Sequence, residues 1–260
     1  MEDVLSVYKR PYDPDRPVVC MDEMPRQLIK EVREPLPMES GKPKRHDYHY
    51  ERNGVVNLLM FFEPSVGWRT VMIRERRTKI DRVHCMKRLL KEHYPEAEKV
   101  VLVMDNLNTH GISSFYEAFP PKEACRLAQR LEIHYTPEHG SWLNMAEIEN
   151  SAMARQCLSR RIPEKEVMEK ETADWSDQRN KEGTAANWRF RTEDARIKLR
   201  RLYPNINRSY VEDGSHQWSP VWNLPTPLPP ADGFKRATIR RRRFWRVSSR
   251  WLRRKEYSLR

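Results

Sequence analysis

No run of apolar residues in this 260-residue sequence approaches the roughly 18 needed to cross a bilayer, and the acidic start Met1-Glu2-Asp3 is unlike a secretory leader. A membrane partner is therefore not expected, and the cytoplasm is the expected compartment. Cysteine is sparse as well. Cys20, Cys85, Cys125 and Cys157 stand far apart with no CxxC pair, which argues against a structural zinc site and against a secreted disulfide framework. They read as reduced thiols of a core. No internal repeat is visible.

Basic excess is missing from most of the chain. The net charge is +12, yet residues 207–260 hold 13 Lys and Arg against 4 Asp and Glu, which leaves only +3 for residues 1–206. A polyanionic partner is the usual counterpart of clustered Lys and Arg, because their binding to phosphates releases condensed counterions. For the nearly balanced body, a nucleic-acid role must come from motifs instead. The apolar content of 38% and aromatic content of 10% suit one soluble globular domain.

Val18-Val19-Cys20-Met21 reads as a short strand that delivers Asp22 at its end. A polar stretch follows over residues 35–49. Val55 to Phe62, a turn over Pro64 to Gly67, and Trp68 to Ile73 then read as a hairpin beside that strand. Residues 79–94 place Ile80, Val83, Met86, Leu90 and His93 at helical spacing, and Pro95 ends the segment. Lys99 to Met104 is a continuous apolar run, the mark of a central strand covered on both faces, and it ends at Asp105. A further helix carries Ala124, Leu127, Ala128 and Leu131. Ile133-His134-Tyr135 forms a last strand, and a helix from near Trp142 to about Arg160 precedes Pro163. The expected fold is α/β, a mixed five-stranded sheet flanked by helices in the ribonuclease H-like order β-β-β-α-β-α-β-α. Residues 1–206 form the expected catalytic domain. Residues 207–260, rich in Pro, Arg and Trp, form an extended basic tail.

Two carboxylates at strand ends, Asp22 and Asp105, plus one on a later helix suit a pair of divalent cations, which prefer hard oxygen ligands. Taken alone, each strand-end acid is as well explained as a cap or turn residue. The surrounding words are more specific. Asp105-Asn106 to His110, and Thr136-Pro137 through Ser141-Trp142-Leu143-Asn144 to Glu147, resemble the DNxxxH and TPxxxSWLNxxE motifs of mariner-superfamily transposases. Arg10-Pro11-Tyr12-Asp13 to Glu23, and Asn187-Trp188-Arg189-Phe190 to Pro204, are similar to that family's first catalytic strand and C-terminus. The chain thus resembles the bacterial insertion-sequence 630 type over about residues 8–206.

The resemblance implies a DDE-type transposase, a DNA-binding endonuclease and strand-transfer enzyme of DNA recombination. Asp22, Asp105 and Glu147 would hold two Mg²⁺ ions, for which Mn²⁺ can substitute. The acids stand 83 and 42 residues apart. The longer second interval is assigned to an insertion around Pro120-Pro121-Lys122-Glu123. Glu149 competes with Glu147, but two helical positions are about 200° apart, so both cannot face one pocket. The family pattern selects Glu147, leaving Glu149 and Glu23 as salt-bridge or solvent residues. Asn106, His110 and Asn144 are accessory candidates, either orienting the site and touching DNA phosphate or bonding strand and helix ends. His139 and Trp142 could touch a DNA end, with Trp142 expected instead as a core anchor.

Partners implied by the resemblance are double-stranded DNA, as transposon ends and as target, and a second copy in a homodimer. A nucleoid-associated bacterial location goes with them. Relatives of this kind carry helix-turn-helix domains ahead of the catalytic domain, so an upstream helix-turn-helix product is the expected source of end recognition, unless the chain is a remnant. Two other readings stay open: a nuclease of the same fold acting on hybrids or junctions, and a noncatalytic DNA-binding remnant.

Overall fold

The computed structural model describes residues 1–203 apart from 42–44, 46, 107–110 and 139. The boundary expected at residue 206 and the tail over 207–260 lie outside the described residues, as do His110 and His139.

Five strands form one mixed sheet: β1 (Val18–Glu31), β2 (Tyr50–Glu63), β3 (Trp68–Arg74), β4 (Val100–Asp105) and β5 (Leu131–Thr136). Their order is β3-β2-β1-β4-β5. The β1/β2 and β2/β3 pairs are antiparallel, whereas β1, β4 and β5 run parallel. This is the ribonuclease H-like arrangement expected from the sequence. The hairpin β2–β3 closes over Pro64 to Gly67. Gly67 there has φ +71°, and a Cβ on it would lie 2.6 Å from the Thr184 carbonyl carbon. Only glycine fits that contact without strain.

Alternation along the strands divides the interior in two. One face, with Cys20, Met60, Val101 and Val103, is covered by α1 (Glu2–Tyr8), α5 (Met145–Gln156), α6 (Lys165–Lys181) and α7 (Thr192–Lys198). The other face, with Met21, Phe61, Leu102 and Met104, is covered by α2 (Lys79–Arg88), α3 (Ser113–Ala118) and α4 (Pro121–Gln129). Burial on both sides explains why β4 reads as an unbroken apolar run.

Several elements differ from the sequence expectation. β1 does not end near Asp22: its parallel ladder with β4 stops at Met21, while its pairing with β2 continues to Glu31. Beyond Met21 no strand among the described residues runs on its other side, which is where a strand proline such as Pro25 is tolerated. The helix expected over 79–94 is α-helical only to Arg88 and widens into a π turn over Leu89–His93, closed by Tyr94 N–H donating to Leu89 O. The wider turn lets the adjacent Leu89 and Leu90 both reach the core, while Ile80 is exposed. Pro120 and Pro121 begin α4, with Pro121 in the first turn where its missing N–H costs nothing. The stretch expected as an insertion thus opens the helix that leads from β4 back to β5.

Candidate active site

The register of the parallel strands places the first two acids side by side. Cys20 pairs with Val103 and Met21 with Met104, so one residue further Asp22 lies beside Asp105. Neighbouring strands are about 4.8 Å apart. Both acids alternate with residues of the face covered by α5, namely Cys20 and Val103. Each therefore points toward that helix.

The start of α5 is fixed against the same strand. Asn144 is its N-cap, its Oδ1 accepting from Ala146 N–H at 3.1 Å, while its Nδ2 donates to Met21 O at 2.7 Å. Tyr8 of α1 donates its hydroxyl to Leu143 O at 2.7 Å, and Leu143 is fully buried. These contacts lock the first turn of α5 one residue from Asp22. Glu147, the third residue of the helix, is consequently brought over the strand ends.

Two of the three carboxyls are raised by burial and by the charge of their neighbours. The Asp22 carboxyl is pushed up to about 7, first by burial, with the charges of Asp105 and Glu147 adding to it against hydrogen bonds from Asn150 and the Glu23 N–H. Glu147 is raised by burial and by Asp105, against a hydrogen bond from Ser141. Asp105 accepts from Thr136 Oγ1 at 2.8 Å, its register partner on β5. Asp22 accepts from Glu23 N–H at 2.8 Å and from Asn150 Nδ2 at 2.8 Å. Among the described residues, no three His, Cys, Asp or Glu side chains already close around a single ion point. The protein's own donors orient these oxygens instead. Asp22 and Glu147, both raised by burial, and Asp105 beside them nevertheless make a donor set of hard oxygens that a divalent cation fits.

The neighbouring acids face away. Glu149 is buried on the opposite side of α5, bound by Arg179 through two contacts of 3.0 and 3.2 Å. Arg69 Nε lies 3.0 Å from Glu149 Oε2, within ion-pair distance although off the hydrogen-bonding angle. Glu23 pairs with Arg77 at 2.6 Å.

Of the accessory candidates, Asn144 caps the helix and Asn106 is exposed just after β4. Trp142 is not the core anchor expected. It is 41% exposed, because the helix begins only at Met145 and residues 141–143 form a 3₁₀ turn that turns Leu143 inward in its place. The Trp142 ring stacks on Trp188 at 6.3 Å and meets Phe190 edge-on at 5.7 Å. Asn150 was missed by sequence reasoning. Its position three residues after Glu147, on the same helical face, was the available signal.

A family model described as DDE superfamily endonuclease matches residues 17–169, a span holding all three acids. No curated protein matches the chain. Among solved structures, the Mos1 mariner paired-end complex with Mn is 18% identical, with a TM-score of 0.44, over 70% of this chain and 55% of that one. The Mos1 transposase paired-end complex with left transposon end is 20% identical, with a TM-score of 0.40 and the same coverage. A pre-cleavage Mos1 transpososome is 19% identical, with a TM-score of 0.40, over 70% of this chain and 56% of that one. The chain spans about half the length of these proteins.

Proposed function

Because the chain belongs to the DDE superfamily endonuclease family, we propose that it is the catalytic part of a DNA transposase, cutting transposon ends and joining them to target DNA. The observation that supports this reading is the register of β1 on β4, which sets Asp22 next to Asp105, together with the rise of the Asp22 carboxyl under the charges of Asp105 and Glu147.

The family works with divalent metals. In this chain Asp22, Asp105 and Glu147 would hold two Mg²⁺ ions, with Mn²⁺ as a substitute. Bound ions of this kind lower the pKa of an attacking water or hydroxyl and stabilise the leaving oxygen of an in-line displacement. The protein's part is positioning. Asp22 would sit where the parallel ladder of β1 with β4 ends and Asp105 at the end of β4, Asn150 and Thr136 hold their carboxylates, and Asn144 fixes the helix that carries the third. Water attacks the phosphodiester at the element's end, releasing a 3′-hydroxyl and a 5′-phosphate. That hydroxyl then attacks a target phosphodiester and displaces a target 3′-hydroxyl, so the number of phosphodiester bonds is conserved in the joining step.

The partners that go with this reading are duplex DNA at the ends and the target, a second copy of the chain pairing the two ends, and an upstream helix-turn-helix product that recognises end sequence. The bacterial nucleoid is the corresponding location. Residues 1–206 are the proposed catalytic domain. A labelled duplex carrying the element's terminal repeat, incubated with Mg²⁺, the helix-turn-helix product and a target plasmid, tests the reading. Joined end-target strands that vanish with Asp105→Asn are the expected result. Cleavage of hybrids without joining, or DNA binding with no turnover in any divalent metal, would overturn it.

A further inference from the structure

Asn150 stands in the second turn of α5, 7% exposed, and its two amide atoms have opposite fates. Nδ2 donates to Asp22 Oδ2 at 2.8 Å, whereas Oδ1 is buried and has no partner among the described residues. With Asp22 ionised, as a cation site requires, turning the amide over would set Oδ1 against a carboxylate oxygen, two acceptors in contact, so the ionised site selects the orientation observed. A buried acceptor left unpaired is a net cost to folding. The cost falls on a residue that shares a helical face with Glu147 and touches Asp22 directly.

The bond to Asp22 uses only Nδ2 and leaves the carbonyl oxygen without a role among the described residues. A divalent cation supplies what is missing. Hard cations complete their shells with asparagine carbonyls and with waters as well as carboxylates. Resting on the metal-dependent reading above, we propose that Asn150 is a fourth oxygen donor of the cation site, holding Asp22 through Nδ2 and presenting Oδ1 to the bound ion or to one of its waters.

Mn²⁺ binding to the full chain without DNA, read from the loss of free-ion electron paramagnetic resonance signal, separates the possibilities without any turnover. Asn150→Ala removes both amide functions, while Asn150→Asp restores an oxygen donor and loses the N–H. Thermal melts without metal establish that each variant is folded. Loss of outer-shell partners typically weakens metal sites by about 10–100-fold, so Asn150→Ala should bind at least about tenfold more weakly and Asn150→Asp as tightly as the native chain or more so. Native affinity in Asn150→Ala would overturn the proposal and leave the carboxylate site intact. Equal weakening in Asn150→Asp would also overturn it, because the amide would then act only by holding Asp22. No Mn²⁺ binding by the native chain, or undiminished binding in Asp105→Asn, would overturn the metal reading itself and this proposal with it.

Discussion

Asp22 titrates near neutrality because it is buried and faces two other carboxylates. Its folded-state value, about 7, lies above the ordinary 3.8, so the folded chain holds a proton that the unfolded chain gives up. Stability from this group is greatest below about pH 4 and falls as pH rises toward 7, by about 4 kcal/mol where no cation is present. Glu147 shifts in the same direction. Thermal melts of the metal-free chain should therefore lose melting temperature between pH 5 and pH 8, and Asp22→Asn should flatten that slope. Mn²⁺ should raise the melting temperature more at pH 8 than at pH 5, where protons compete for the same oxygens. An Asp22→Asn chain with an unchanged pH slope would remove this explanation. Sequence made these acids legible because each closes an apolar run or sits in a distinctive word. For Asn150 it offered only the spacing from Glu147, since the orphaned oxygen exists only once α5 is docked on β1.

Element by element, the orientation of α5 depends on the ionic clamp behind it. Glu149 reaches Arg69 of β3 and Arg179 of α6, with Arg69 wholly buried and stacked over Phe62 at 5.1 Å. Removing one partner of a buried pair costs about 3–5 kcal/mol, because the remaining charge is stranded. Glu149→Ala should lower the melting temperature by roughly 10 °C in a calorimeter. A change of a degree or two would mean the clamp is slack. Gly67→Ala is a second case, in which both the left-handed backbone and the Thr184 contact oppose a methyl group. A loss of about 1–3 kcal/mol in chemical denaturation is expected. Apolar periodicity revealed β2 to β5 and the helix after Pro120. It missed α1, whose seven residues carry too little pattern, and the far half of β1, whose polar residues are held by pairing with β2. It also misplaced the start of α5, since a 3₁₀ turn and an N-cap asparagine read as helix in sequence.

For the whole molecule, the basic excess and the three proposed catalytic acids belong to different stretches of chain. If catalysis resides in residues 1–206, a chain ending at 206 should keep the cleavage rate at saturating DNA and need more DNA to reach it, most visibly at moderate salt where phosphate contacts matter. A lower saturating rate would place part of the chemistry in the basic end. The central claim, that three particular carboxylates and not their neighbours form one metal-dependent site, is tested most directly by Mn²⁺-dependent DNA cleavage rates for single variants. Asp22→Asn, Asp105→Asn and Glu147→Gln should each lose at least about a thousandfold, near 4 kcal/mol of barrier, while Glu23→Gln, whose side chain pairs with Arg77, stays within about tenfold of the native rate. Near-native cleavage by any of the first three, or a dead Glu23→Gln chain, would contradict the assignment.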